Sequence, residues 1–141
     1  MGAMRQMLTT FTLATHGKQL HEFTDEAARW IAGGAIDTGL LTLFCRHTSA
    51  SLLINENAAP AVQRDLLAWL DRAVPEGPQY EHDDEGADDM PAHIRTLLTG
   101  ASLVVPVEGG RMLLGTWQGL YLAEHRAAPH RRQVVAHLLG E

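Results

Sequence analysis

Residues 102–107, Ser102-Leu103-Val104-Val105-Pro106-Val107, begin a run that passes through Gly109-Gly110, Met112 to Glu124, Ala127-Ala128-Pro129 and Arg132 to Leu139. Short apolar stretches separated by glycine and proline turns read as successive strands of an antiparallel meander. Working outward, Gln6 to Thr15 alternates threonine with Leu and Phe, the pattern of a strand with one face on the core. Residues 38–46 form a largely buried strand that delivers His47 at its end. Thr24-Asp25 can cap a helix carrying Ala27, Ala28, Trp30 and Ile31, which Gly33-Gly34 can end. From Pro60 to Val74, the residues Val62, Leu66, Trp69, Leu70 and Ala73 recur at helical spacing and predict the longest helix. Asp88 or Asp89 with Pro91 starts a short helix through Leu98, closed by Gly100. Strands and helices do not alternate regularly. The expected fold is α+β, a mainly antiparallel β-sheet or sandwich with two or three helices, in a single domain spanning residues 1–141.

Composition narrows the function classes. The chain has 17 acidic and 11 basic residues, and 45% of it is hydrophobic. No basic stripe with interleaved aromatics is present, which argues against nucleic acid as a partner. No apolar run approaches a membrane span, and Met1-Gly2-Ala3-Met4-Arg5 lacks the apolar stretch of a secretory signal, so a cytoplasmic location is expected. Cys45 is the single cysteine and lies in an apolar strand, where it reads as a small buried hydrophobe. Available metal ligands are therefore histidine and carboxylate.

The acidity is concentrated. Glu81, Asp83, Asp84, Glu85, Asp88 and Asp89 account for the whole net charge of −6. Crowded like charges repel, so this segment is either a solvated loop or one organised by a cation or an arginine-bearing surface. His82 and His93 bracket it, and His47 precedes Thr48-Ser49-Ala50-Ser51 at a strand exit. Three neutral imidazoles can bind a divalent transition metal and leave a position open. The intervals of 34 and 10 residues between these histidines match no local metal motif. Gly115-Thr116-Trp117-Gln118-Gly119 would weaken a strand unless a backbone, ligand or neighbouring subunit approaches closely; a glycine-relieved bend around a core tryptophan is the alternative. Arg111, Arg126 and Arg132 offer guanidinium groups for phosphate, with surface ion pairing as the plainer reading.

These segments resemble the YjbQ-type family, described as secondary thiamine-phosphate synthases. The resemblance runs through His47-Thr48-Ser49-Ala50-Ser51, Asn55-Glu56-Asn57, Asp65, Tyr80-Glu81-His82, Gly86 to Ile94, Gly115 to Gly119, Glu124-His125-Arg126 and Gly140-Glu141. It implies a YjbQ-like domain over the whole chain and a homotrimer. It also implies His47, His82 and His93 as metal ligands. His47, Asp88, Gln118 and Glu124 would be catalytic, and Ser49, Asn57, Arg111, Arg126 and Arg132 would bind substrate. Where family members commonly carry an aspartate before the proline of the long helix, this chain has Ala59.

The activity so implied joins an aminopyrimidine diphosphate to a thiazole phosphate and releases pyrophosphate at a divalent ion. Histidine ligands favour zinc or another transition metal, while a diphosphate would suit magnesium. Two alternatives stand beside it. One is a metal-dependent hydrolase in which Glu124 or Asp88 moves a proton. The other is a non-enzymatic trimer that binds a small phosphorylated metabolite.

Overall fold

A computed structural model describes residues 2–141. In chain order the elements are β1 (Arg5–Thr15), β2 (Gln19–Glu22), α1 (Thr24–Ala32), β3 (Gly39–Cys45), β4 (Ala50–Glu56), α2 (Pro60–Ala73), α3 (Asp89–Thr99), β5 (Ser102–Glu108), β6 (Arg111–Met112), β7 (Gln118–Glu124) and β8 (His130–Gly140). All strand pairs are antiparallel, in one sheet of order β1-β8-β3-β5-β6 and another of order β2-β7-β4. The α+β expectation holds. The longest pairing is β1 with β8, from Arg5 opposite Gly140 to Thr15 opposite His130. Alternation in β1 and β8 sends Leu13, Val134, Ala136 and Leu138 into the core, where they meet Leu41, Leu43, Leu52, Leu120 and Leu122. No helix among the described residues is long and apolar enough to cross a membrane.

The expected meander is corrected. A single strand from Met112 to Glu124 does not form: Gly115 N–H donates to Gln118 Oε1 and Gln118 N–H donates to Gly115 O, closing a turn that sends β7 into the second sheet. Trp117 rides on this turn and is 62% exposed, so it is not a core residue. Gly119 serves the close approach: a Cβ there would lie 2.6 Å from Glu22 Oε2 and 3.0 Å from Asn57. Strands β2 and β4 lie outside the elements expected from sequence. Their short stretches, Gln19–Glu22 and Ala50–Glu56, mix polar and apolar residues and take their form from flanking β7 on either side.

Helix starts also depart from expectation. Thr24 does not cap α1; its hydroxyl donates to Glu22 Oε2 and accepts Leu120 N–H, fastening the helix to β7. Ala59 leaves α2 without a side-chain cap, but Glu56 Oε2 accepts the N–H groups of Ala58 and Ala59 just upstream. Asp88 precedes α3, yet its carboxylate is turned away from the helix toward Arg126 and Ala127.

Two contacts seat α3. Arg95 is buried and donates to Asp71 Oδ1 at 3.0 Å and Val74 O at 3.1 Å, drawing the end of α2 against it. On its other side Thr99 hydrogen-bonds Ser51 of β4, and Ser51 Oγ lies 2.7 Å from the Nε2 of buried His125. Burial, reinforced by nearby Arg95, pushes the His125 pKa down to about 4. His125 is thus neutral when folded. As pH falls below about 6.5, the unfolded chain takes up a proton that the folded chain refuses until about 4, so stability should fall across that window by up to roughly 3 kcal/mol. Urea denaturation of wild type and His125→Gln from pH 4 to 7.5 tests this. The stability difference between the two proteins should shift with pH through that window, and parallel profiles would refute the assignment.

Candidate metal centre

Asp89 and His93 sit one helical turn apart on α3, so the helix presents both side chains on one face. His82 reaches them from the acidic loop between α2 and α3. The carboxylate oxygen Asp89 Oδ2 lies 2.8 Å from His82 Nε2 and 3.1 Å from His93 Nε2. The two imidazole centroids are 5.6 Å apart. One ligand atom from each of His82, Asp89 and His93 falls within 4.8 Å of the others.

The electrostatics suit a cation. Asp89 is only 4% exposed at its side chain. Burial works to raise its pKa, but the hydrogen bond from His82 and the nearby charges, including Arg126, outweigh it and hold the carboxyl below its ordinary value. The Asp89 hydrogen bond, with Asp84 and Glu85 nearby, holds His82 above the usual imidazole value. Asp84 Oδ1 is 3.5 Å from His82 Nδ1, and Glu85 Oε2 is 3.4 Å from His82 Nε2. His93 Nδ1 donates to the Thr48 carbonyl at 2.7 Å, because a carbonyl can only accept. That bond directs the opposite nitrogen, Nε2, toward Asp89. A ring nitrogen tied to a carbonyl while the other faces a carboxylate is the arrangement that orients metal-ligating histidines. The donor set of two imidazoles and one carboxylate fits a transition ion such as Zn²⁺ better than Mg²⁺.

His47 is not part of this three-residue cluster. It shares with Thr48, His93 and Thr96 the wall of a cleft of about 430 Å³, but its Nε2 accepts the Gln133 N–H at 2.8 Å. Burial and the Arg132 charge push its pKa down, so it stays neutral beside the cluster. Asp89 takes the place that the sequence reading assigned to His47. The signal for it was present in the spacing of Asp89 and His93, two residues four apart at a helix start.

The other expected site residues separate into three groups. Glu124 and Arg132 form a buried fork, with Arg132 Nε 2.7 Å from Oε1 and Nη2 2.6 Å from Oε2. Thr15 Oγ1 donates to the same carboxylate at 2.6 Å, and Arg132 also donates to Ser49 Oγ at 2.9 Å. Burial works to raise the Glu124 pKa, but the bonds from Arg132 and Thr15 prevail and hold it down. Glu124 and Arg132 are thus paired with each other, and Ser49 Oγ accepts from the same guanidinium. Arg126 and Asp88 lie beside the cluster but pair with each other, Nε to Oδ2 at 3.2 Å, and Asp88 also accepts Ala127 N–H. Gln118, Asn57 and Arg111 are elsewhere: Gln118 begins β7 while Glu124 ends it, six strand steps or about 20 Å apart. Asn57 donates to Glu22 near that far end, and Arg111 borders α1 with Thr24 and Ala28.

Comparison with known proteins joins these findings. The family model for UPF0047, YjbQ-like proteins, matches residues 9–141. A UPF0047 protein of Synechocystis is 49% identical over 138 residues, covering 97% of this chain and 94% of that protein. YjbQ of Escherichia coli O157:H7 is 47% identical over 133 residues, covering 94% and 96%. Among solved structures, an uncharacterised conserved protein of the YjbQ/UPF0047 family from Clostridium acetobutylicum superposes with a TM-score of 0.85 at 34% identity, covering 92% of this chain and 98% of that one. A YbjQ-like protein of unknown function from Sulfolobus solfataricus shares the fold, with a TM-score of 0.91 at 24% identity over 99% of this chain and 100% of that one. None of these descriptions names thiamine-phosphate synthesis, and that expectation is withdrawn. The geometry agrees, since Arg126 and Arg132 are held by carboxylates and Arg111 is remote. What the motifs, the fold and these relatives establish together is membership: the chain belongs to the UPF0047 family of YjbQ-like proteins.

Proposed function

We propose that this protein binds a single divalent transition-metal ion through His82, Asp89 and His93, and that the ion's remaining positions serve water or a small anionic ligand. The observation that carries this reading is Asp89 Oδ2, facing the Nε2 atoms of two histidines while the second nitrogen of His93 is tied to Thr48. An ion there would act as a Lewis acid. With Arg126 and Arg132 paired to carboxylates and Arg111 remote, an anion such as phosphate would be held by the ion itself. Protein stripped with EDTA should bind one Zn²⁺ per chain by calorimetry. His82→Ala, His93→Ala and Asp89→Asn should each weaken binding by about tenfold or more, equivalent to about 1.4 kcal/mol. His47→Ala should weaken it less than Asp89→Asn does. A stripped chain that binds no Zn²⁺, or a His47→Ala loss exceeding that of Asp89→Asn, would refute the assignment.

We further propose self-association through the outer face of the five-stranded sheet. The pairing register places Leu8, Leu40, Phe44, Val104 and Leu139 on one face, and all five are exposed. Large apolar residues exposed together on one sheet face suit an interaction surface. A trimer is the assembly the family resemblance implies, so light scattering should return about three times the 15.4 kDa chain mass. Phe44→Glu should lower that mass toward the monomer, since Phe44 is 49% exposed and its replacement leaves the core untouched. A wild-type monomer at micromolar concentration would overturn this assembly.

A further inference from the structure

Arg126 follows the end of β7, and its guanidinium hydrogen-bonds two groups of the acidic loop and helix start and lies beside a third. Nη1 donates to Asp89 Oδ1 at 2.7 Å, Nη2 donates to the Glu85 carbonyl at 2.8 Å, and Nε lies 3.2 Å from Asp88 Oδ2. Gly86 makes room for this. Its φ of +108° favours glycine, and a Cβ would stand 3.2 Å from Asp88 Oδ1 and 3.5 Å from Arg126 Nη2.

A carboxylate can ligate an ion through one oxygen or chelate it through both. At Asp89 the two oxygens are already divided. A charge-assisted bond occupies Oδ1, and only Oδ2 faces the histidines. The side chain is nearly enclosed, which restricts its rotation. From this division we infer that Arg126 is a positioning residue for the metal centre: it holds Asp89 as a one-oxygen ligand and so keeps the coordination number low. Such a site favours ions that accept two imidazoles and a single carboxylate oxygen over those that require six to eight oxygens. This inference rests on the metal reading above. It differs from a purely mechanical role in which Arg126 only fastens the loop.

The experiment uses the full chain, stripped of metal, with Zn²⁺ affinity by calorimetry and the visible absorption of bound Co²⁺, whose intensity falls as coordination number rises. Arg126→Met should weaken Zn²⁺ binding about tenfold or more, in the range typical of lost ligand-orienting partners. At Co²⁺ saturation the same variant should show weaker absorption per bound ion, because the released Oδ1 becomes a ligand. Arg126→Lys, which keeps a positive charge beside Asp89, should recover both signals in part. If Arg126→Met does not fold, Arg126→Gln carries the same two readouts. Zn²⁺ affinity within threefold of wild type would overturn the inference, as would weaker binding with an unchanged Co²⁺ spectrum. Wild-type protein that binds no Zn²⁺ would overturn the metal reading instead, which is a different result from binding that ignores residue 126.

Discussion

The buried fork between Glu124 and Arg132 is the joint on which the rest of the molecule hangs. Glu124 ends β7 in the three-stranded sheet and Arg132 lies in β8 of the five-stranded sheet, so the pair clamps the two sheets where the chain crosses between them. Thr15 adds β1 and Ser49 adds the approach to β4. Buried ion pairs contribute little net stability when intact, but losing one partner strands a charge and costs about 3–5 kcal/mol. Here every oxygen of Glu124 is engaged, because the Arg126 N–H also donates to it. The pair therefore fixes a geometry as well as a contact.

From that joint the chain leaves in a set direction, and the next two residues couple it to both sides of α3. His125 turns inward to Ser51, which in turn bonds Thr99, while Arg126 turns outward to the acidic loop. Helix α3 is thus held from its C-terminal end by a neutral hydrogen-bonded chain and at its start by a charged one. Six acidic residues in one short segment would repel one another if merely exposed. Arg126 compensates part of that charge and gives the loop a fixed shape. Asp89 concentrates the effect, with one oxygen facing the arginine and the other facing the histidines.

The same pairings engage two of the arginines that the sequence offered for phosphate. Arg126 and Arg132 each meet a buried or half-buried carboxylate, while Arg111 lies beside α1 away from both. The relatives share sequence and fold over nearly the whole chain, which establishes family membership and leaves the chemistry to be argued from side chains. Those side chains form a cluster of two imidazoles and one carboxylate that could hold a cation.

Local pattern was enough for the elements that carry strong periodicity. The alternation in β1, the apolar run of β3, the Pro60 helix and the glycine stop at the end of α3 could all be read from neighbours in the chain, because each depends on interactions a few residues long. The concentration of acid around His82 and His93 likewise announced a site. Partnership across the fold could not be read that way. The choice of β7 for the second sheet, the capture of Arg132 by Glu124, the diversion of His47 to the Gln133 backbone and the seating of Asp89 between arginine and imidazole each join residues far apart in sequence. Composition and spacing limit which groups can pair, but a charged side chain meets many acceptable partners along the chain. Only the packing of the two sheets and α3 brings one of them within hydrogen-bond distance and excludes the rest.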